Sequence, residues 1–241
     1  MAVAKEQNDK LKIFEGLNLD DPSEVLGAAL KAFPGKISLA CSFSKEDIVI
    51  IDLLKKLDKN PRIFAIDTGR LPDETYLCAE SIRHTHGIEI EWFFPKNDAV
   101  ETLIRDKGLY SFKESVDNRK ECCFIRKVEP LNRALNGLEG WITGQRREQS
   151  VTRGELNSVE IDEAHGGILK LNPLAAWDYE KTEEYVKNNN LPYNKLYNQG
   201  FKSIGCAPCT RAIAEDEHER AGRWWWEDPN NKECGLHIVS K

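Results

Sequence analysis

The sequence predicts an α/β fold: a mainly parallel sheet flanked by helices, with a mobile C-terminal tail. Three observations predict it. The runs Ile37–Cys41 (ISLAC), Arg62–Ile66 (RIFAI) and Glu89–Phe93 are short and largely apolar, as buried strands are. The first two end in polar loops, Ser42-Phe43-Ser44 and Asp67-Thr68-Gly69, and each loop leads into a stretch of helical character. Strand, polar loop, helix, strand is the rhythm of a parallel sheet, whose ligands bind at the carboxyl ends of the strands.

The other elements follow from local signals. Residues 1–35 read as a helical region: Asp21-Pro22-Ser23 starts a helix, Val25, Leu26, Ala29, Leu30 and Phe33 repeat at helical spacing, and Pro34-Gly35 ends it. Helices are expected over Glu46–Leu57 and Asp73–His84. Gly140–Thr143 (GWIT) and Leu169–Leu174 (LKLNPL) read as a fourth and a fifth strand, and residues 178–190 as a helix with an Asp start. From about Gly200 onward turn residues and charges dominate. Residues 1–225 are therefore expected to form one α/β domain, and residues 226–241 a flexible tail.

Composition excludes several functions. The 241 residues carry a net charge of −6 and no long basic tract, so a nucleic acid polymer has no electrostatic footprint. No apolar run is long enough for a membrane span, and the start MAVAKEQNDKLK lacks the apolar core of a secretory signal. A cytoplasmic setting is expected. The seven cysteines are then metal ligands or catalysts before they are disulfides.

Four of them form two pairs. Cys122-Cys123 are adjacent in KECCFIRK, and Cys206 and Cys209 form a C-x-x-C in IGCAPCTR. Four thiolates suit zinc or an iron–sulfur cluster. Structural zinc generally uses spaced pairs. Two neighbouring cysteines at the start of a helix can splay onto two irons, which favours the cluster. A buried pair with an unrelated redox C-x-x-C is the plainer reading. Cys41 and Cys78 read as small buried hydrophobes.

Cys234, in KECGLH, has Lys232 before it and His237 after it, and nearby cations favour the nucleophilic thiolate. Alone it would pass for an exposed tail cysteine. Arg126 and Lys127 follow the first cysteine pair, Arg146, Arg147 and Arg153 occupy the loop GQRREQSVTR, and Arg220 and Arg223 precede the run Trp224-Trp225-Trp226. Arginine forks suit phosphate and sulfate oxygens. The tryptophans receive no chemistry.

ECCFIRKVEPL, GWITGQRREQS, SIGCAPCTR, HERAGRWWWE and KECGLH, in this order, resemble the assimilatory adenylyl-sulfate (APS) reductases, the iron–sulfur branch of the APS/PAPS reductase family. The resemblance runs from about Ser38 to His237. It implies the adenine-nucleotide α-hydrolase fold, related to the ATP pyrophosphatases. It implies one [4Fe-4S] cluster on Cys122, Cys123, Cys206 and Cys209, with Cys234 as the catalytic nucleophile. Lys127, Gly144, Arg153, Arg220, Arg223 and His237 match positions around the nucleotide or its sulfate. Ser42, Phe43 and Ser44 stand where ATP-cleaving relatives carry a glycine-rich SGG loop, and the change fits a substrate with one phosphate. Arg119 stands where some members carry His and is left out of the site. The implied reaction is thioredoxin-dependent reduction of APS to sulfite and AMP through a cysteine thiosulfonate, in a homo-oligomer. The alternatives are reduction of PAPS or of both substrates, an iron–sulfur tRNA thiolase, and a non-enzymatic zinc-stabilised nucleotide-binding module.

Overall fold

The computed structural model describes residues 2–149 and 156–228, with side chains from Gln7 onward. The chain divides into two compact units. One comprises the residues up to Phe64 together with Leu77–Glu91 and Gly137–Asn194; the other comprises Ala65–Tyr76, Trp92–Asn136 and the residues from Lys195 onward.

Six strands form one sheet: β1 (Ile37–Cys41), β2 (Arg62–Ile66), β3 (Glu91–Phe93), β4 (Gly140–Ile142), β5 (Val159–Asp162) and β6 (Ile168–Leu171), in the order β3-β2-β1-β4-β6-β5. β1 pairs parallel with β4, with Ile37 opposite Gly140 and Leu39 opposite Ile142. β4 pairs parallel with β6, whereas β5 runs antiparallel to β6 at the edge. The third strand starts at Glu91 rather than Glu89, and the fourth ends at Ile142. Thr143 turns its hydroxyl to Asn172 Oδ1 at 2.5 Å as the chain leaves the sheet. β5 had no counterpart in the sequence reading, because three of its four residues are only half-buried and carry no apolar run.

In the first unit the helices begin where their caps stand. After α1 (Ala2–Lys12), α2 (Pro22–Ala32) starts at Asp21, whose carboxylate accepts from Ser23 N, and it buries Val25, Leu26 and Ala29. α3 (Lys45–Leu57) opens with a capping box: Ser44 accepts from Asp47 N, and the Asp47 side chain accepts from Ser44 N. Its first turns are buried all round, Ile48, Val49, Ile50 and Ile51 included, so α3 is a core helix rather than a surface one. α4 (Asp73–His86) follows β2. Cys41 and Cys78 are buried in this unit, as expected for small apolar residues.

The second unit holds helices that had no expectation: α5 (Asn97–Lys107), α6 (Val116–Cys123) and α7 (Glu129–Leu135), with a π-helical turn over Phe124–Val128 between the last two. Cys122 and Cys123 therefore end a helix, contrary to the expectation that they begin one. Ser115 takes the N-cap instead, accepting from Asn118 N. α8 (Tyr179–Asn188), back in the first unit, is capped by Asp178 as expected. Among the described residues no helix is long and apolar enough to cross a membrane.

The β5–β6 edge is pinned by a buried carboxylate. Asp162 Oδ2 accepts from Trp141 Nε1 at 2.9 Å and faces His165 Nδ1 at 2.7 Å. Burial pushes the Asp162 carboxyl up, but the hydrogen bonds from His165 and Trp141 and the charge of Lys170 outweigh it, and its pKa falls below the ordinary value. A lowered folded pKa stabilises the protein above the unfolded value and loses that contribution as pH falls through the folded one. Urea unfolding across pH 7 to about 3 should show stability declining at the acid end, and Asp162→Asn should shallow that decline.

Candidate functional site

The strand order places a switch point in the first unit. From β1 the chain works outward through β2 to β3, then returns to β4 on the other side of β1. In such sheets the crevice for a ligand opens beyond the carboxyl ends of the two strands at the reversal. β1 runs there into Ser42-Phe43-Ser44, and β4 runs into Thr143-Gly144. Asp47 holds the first loop and lies against Gly144 of the second. Its Oδ2 accepts from Ser42 N (2.7 Å), Ser42 Oγ (2.8 Å) and Ser44 N (3.2 Å). Burial pushes the carboxyl up to about 6, and those three hydrogen bonds oppose the rise. Phe43 is buried with φ 62°, a left-handed backbone in which an L side chain is strained. The loop thus keeps a glycine-like conformation without a glycine. Gly144 is required by space: a Cβ there would lie 2.5 Å from Asp47 Oδ1 and 2.9 Å from Glu46 Cβ. Arg146 is fully buried beside it and donates to Glu46 Oε1 at 2.7 Å.

The second unit gathers the two cysteine pairs. Cys122, Cys123, Cys206 and Cys209 line one cavity of about 20 Å³. Two elements bring the second pair there. The turn after β2 places Thr68 Oγ1 3.2 Å from Cys206 Sγ, and Ala207 N donates to Arg70 O at 2.8 Å. Gly69 makes this turn with φ 68°, accepted by Asp67 Oδ1 at 2.7 Å, while a Cβ there would press on Arg126 Nη1 at 3.3 Å. Arg126 in turn donates to Thr68 O at 2.7 Å.

Cations line the same cavity: Arg70, Arg119, Arg126, Lys127 and Arg223. Burial pushes the Cys122 thiol up, and Arg70 and Arg126 pull it back. Cys209 is pushed up to about 12, mainly by burial and then by Cys206, against the pull of Arg223 and Lys127. Among the described residues, Arg126 Nε, Arg223 Nε and Trp224 Nε1 are buried without a hydrogen-bond partner. Four soft sulfur donors ringed by unsatisfied N–H groups match a bound group that is both thiophilic and anionic. Among the described residues no group of three or more His, Cys, Asp or Glu is arranged to hold a metal ion.

The expected residues fall as follows. Ser42, Phe43, Ser44 and Gly144 meet around Asp47 in the first unit. Lys127 and Arg223 line the cysteine cavity in the second. Arg220 is half-buried in the same unit, with its carbonyl accepting from Arg223 N at 3.0 Å. Arg153, Cys234 and His237 lie outside the described residues. Sequence reasoning did not single out Asp47 or Arg70, left Arg119 out of the site and gave Trp224 no chemistry. Spacing carried a signal for Arg119, which precedes Cys122 by three positions and Cys123 by four, one helical face.

Solved structures with a similar fold define the class. A phosphoadenylyl-sulfate (PAPS) reductase from Candida auris, in a phosphate complex, superposes with a TM-score of 0.68 at 29% identity, over 80% of this chain and 90% of that one. A Candida glabrata FMN adenylyltransferase in complex with ATP reaches 0.57 at 14% identity, over 92% and 75%, which speaks for the fold alone. The fold is that of the adenine-nucleotide α-hydrolases. Within it, the phosphoadenosine phosphosulfate reductase domain matches residues 36–212, and the chain belongs to that family. It is 50% identical over 85% of its length, and 82% of the relative's, to an adenosine 5'-phosphosulfate reductase of Burkholderia cepacia. It is 48% identical over 83% and 78% to the protein of the same name from Allochromatium vinosum. A chloroplastic 5'-adenylylsulfate reductase of Arabidopsis thaliana is 41% identical over 98% of this chain, which spans 54% of that protein.

Gly144→Ala should lower the unfolding free energy by about 1–3 kcal/mol, because the Asp47 carboxylate cannot yield without releasing the Ser42–Ser44 loop. Urea titration of the two proteins measures it.

Proposed function

We propose that this protein reduces adenosine 5'-phosphosulfate to sulfite and AMP, with Cys234 as nucleophile and thioredoxin as electron donor, in the cytoplasm and as a homo-oligomer. The observation that carries the reading is the meeting of two cysteine pairs, 83 positions apart in sequence, on one cation-lined cavity in a chain half identical to APS reductases.

Cys122, Cys123, Cys206 and Cys209 would hold a [4Fe-4S] cluster. The donor set fits it: four thiols and no carboxylate or imidazole. When bound, the cluster would supply a fixed charge distribution at the four sulfurs and replace the protons that burial keeps on Cys122 and Cys209.

The residues of the chain divide the remaining work. Ser42, Phe43, Ser44 and Gly144 form the crevice at the β1–β4 switch point, where the adenylate binds. Lys127, Arg153, Arg220, Arg223 and His237 hold the sulfate and phosphate oxygens and neutralise charge as it moves to the leaving phosphate. The Cys234 thiolate attacks the sulfur of APS. The sulfur–oxygen bond to the phosphate breaks, AMP leaves with the electron pair, and a Cys234 thiosulfonate remains. A thioredoxin thiolate then attacks Cys234 Sγ and sulfite leaves with the electron pair of the sulfur–sulfur bond. The second thioredoxin thiol resolves the mixed disulfide, restoring Cys234 and yielding oxidised thioredoxin.

PAPS is the second reading, favoured by the likeness to the Candida auris enzyme. The ratio of kcat/KM for APS and PAPS decides between them.

Two outcomes test the proposal. Cys234→Ser should form no sulfite and retain wild-type iron and acid-labile sulfide; sulfite formation at the wild-type rate would remove Cys234 from the mechanism. Cys209→Ser, purified without oxygen, should lose most of its iron while Cys41→Ser keeps it. Iron loss from neither variant, or stoichiometric zinc in the wild type, would refute the cluster assignment.

A further inference from the structure

We infer that Arg119 and Glu227 are positioning residues: their buried ion pair docks the turn Trp224–Glu227 against the cysteine cavity and fixes where the segment bearing Cys234 begins. The inference rests on Cys234 as the nucleophile.

The pair is a fork. Arg119 Nε donates to Glu227 Oε1 at 3.0 Å, and Nη2 donates to Oε2 at 2.8 Å. Its side chains are 1% and 4% exposed, the most buried such ion pair among the described residues of the second unit. Arg119 sits on α6 one turn before Cys122 and Cys123, and its guanidinium lies 4.7 Å from the centre of the Trp224 indole. Arg223 covers the same ring at 4.8 Å. Trp224 is itself fully buried at φ 42°, a strained backbone that persists only where the surroundings impose it. Trp224 N donates to Cys209 O at 3.2 Å, and Glu227 N closes the turn onto Trp224 O at 2.9 Å.

The turn is therefore held from two sides, by the helix that ends in Cys122-Cys123 and by the strand-like segment after Cys209. Cys234 follows Glu227 by seven residues. Glu227 thus fixes where the chain toward Cys234 starts, and misplacing a nucleophile by about 1 Å can cost on the order of a hundredfold in rate. Loss of the fork should consequently reduce the rate of attack more than the binding of the nucleotide.

The test uses Glu227→Gln and Arg119→Lys in the full chain, purified without oxygen. Iron per chain, kcat and KM for APS, and the single-turnover rate of thiosulfonate formation on Cys234 by mass spectrometry are compared with wild type. The expected result is a kcat and single-turnover rate lowered by roughly ten- to a hundredfold, with KM within about twofold and iron unchanged. Should Glu227→Gln fail to fold, Arg119→Lys carries the test, since it keeps the charge and loses the two-pronged hydrogen bonding to Glu227. Unchanged kcat overturns the inference. So does iron falling in step with activity in both variants, which would make the pair a support of the cysteine site and nothing more. Wild-type protein that forms no thiosulfonate overturns the functional reading, and this inference with it.

Discussion

Buried cations must find anions, and the second unit is organised around that constraint. Arg119 and Arg126 are almost wholly removed from solvent, and Arg223 nearly so, in the wall of one small cavity. An unpaired buried charge costs several kcal/mol, so each guanidinium needs a partner. Arg119 takes the Glu227 carboxylate, Arg126 takes the Thr68 carbonyl, and Arg223 stacks on Trp224 and reaches toward Ile204 O. Both Arg126 and Arg223 line the cavity that the four cysteines share.

The first unit solves a different problem with one carboxylate. The switch point between β1 and β4 needs an open crevice with its loop in an unusual backbone conformation. Asp47 secures it by taking three hydrogen bonds from Ser42 and Ser44 while capping its own helix. The arrangement leaves no room for a side chain at position 144. It also holds Phe43 in the left-handed region, where burial of the ring offsets strain of about 1–3 kcal/mol.

Much of this was legible in the linear chain. Capping residues Asp21, Ser44 and Asp178 mark their helices because a side-chain oxygen and an orphan backbone N–H are local partners. The buried strands were legible because both of their faces are apolar. α6 was not: its apolar residues show almost no periodicity, and it is held by Ser115 and by what packs on Arg119 and Cys122. The π-turn that follows was equally hidden, since a single extra residue per turn leaves no trace in a pattern of side chains.

The sequence by itself determined five of the six strands, the helices α2, α3, α4 and α8, the family, and the two cysteine pairs, because those rest on residue type and near-neighbour spacing. Only the tertiary structure decided that the pairs share a cavity, that Asp47 lies against Gly144 in the loop after β4, and that Arg119 lines the cysteine cavity. Each of those is a contact between residues far apart in the chain. The Arg119–Glu227 fork joins positions 108 apart, and no local pattern encodes a partner that only folding brings within 3 Å.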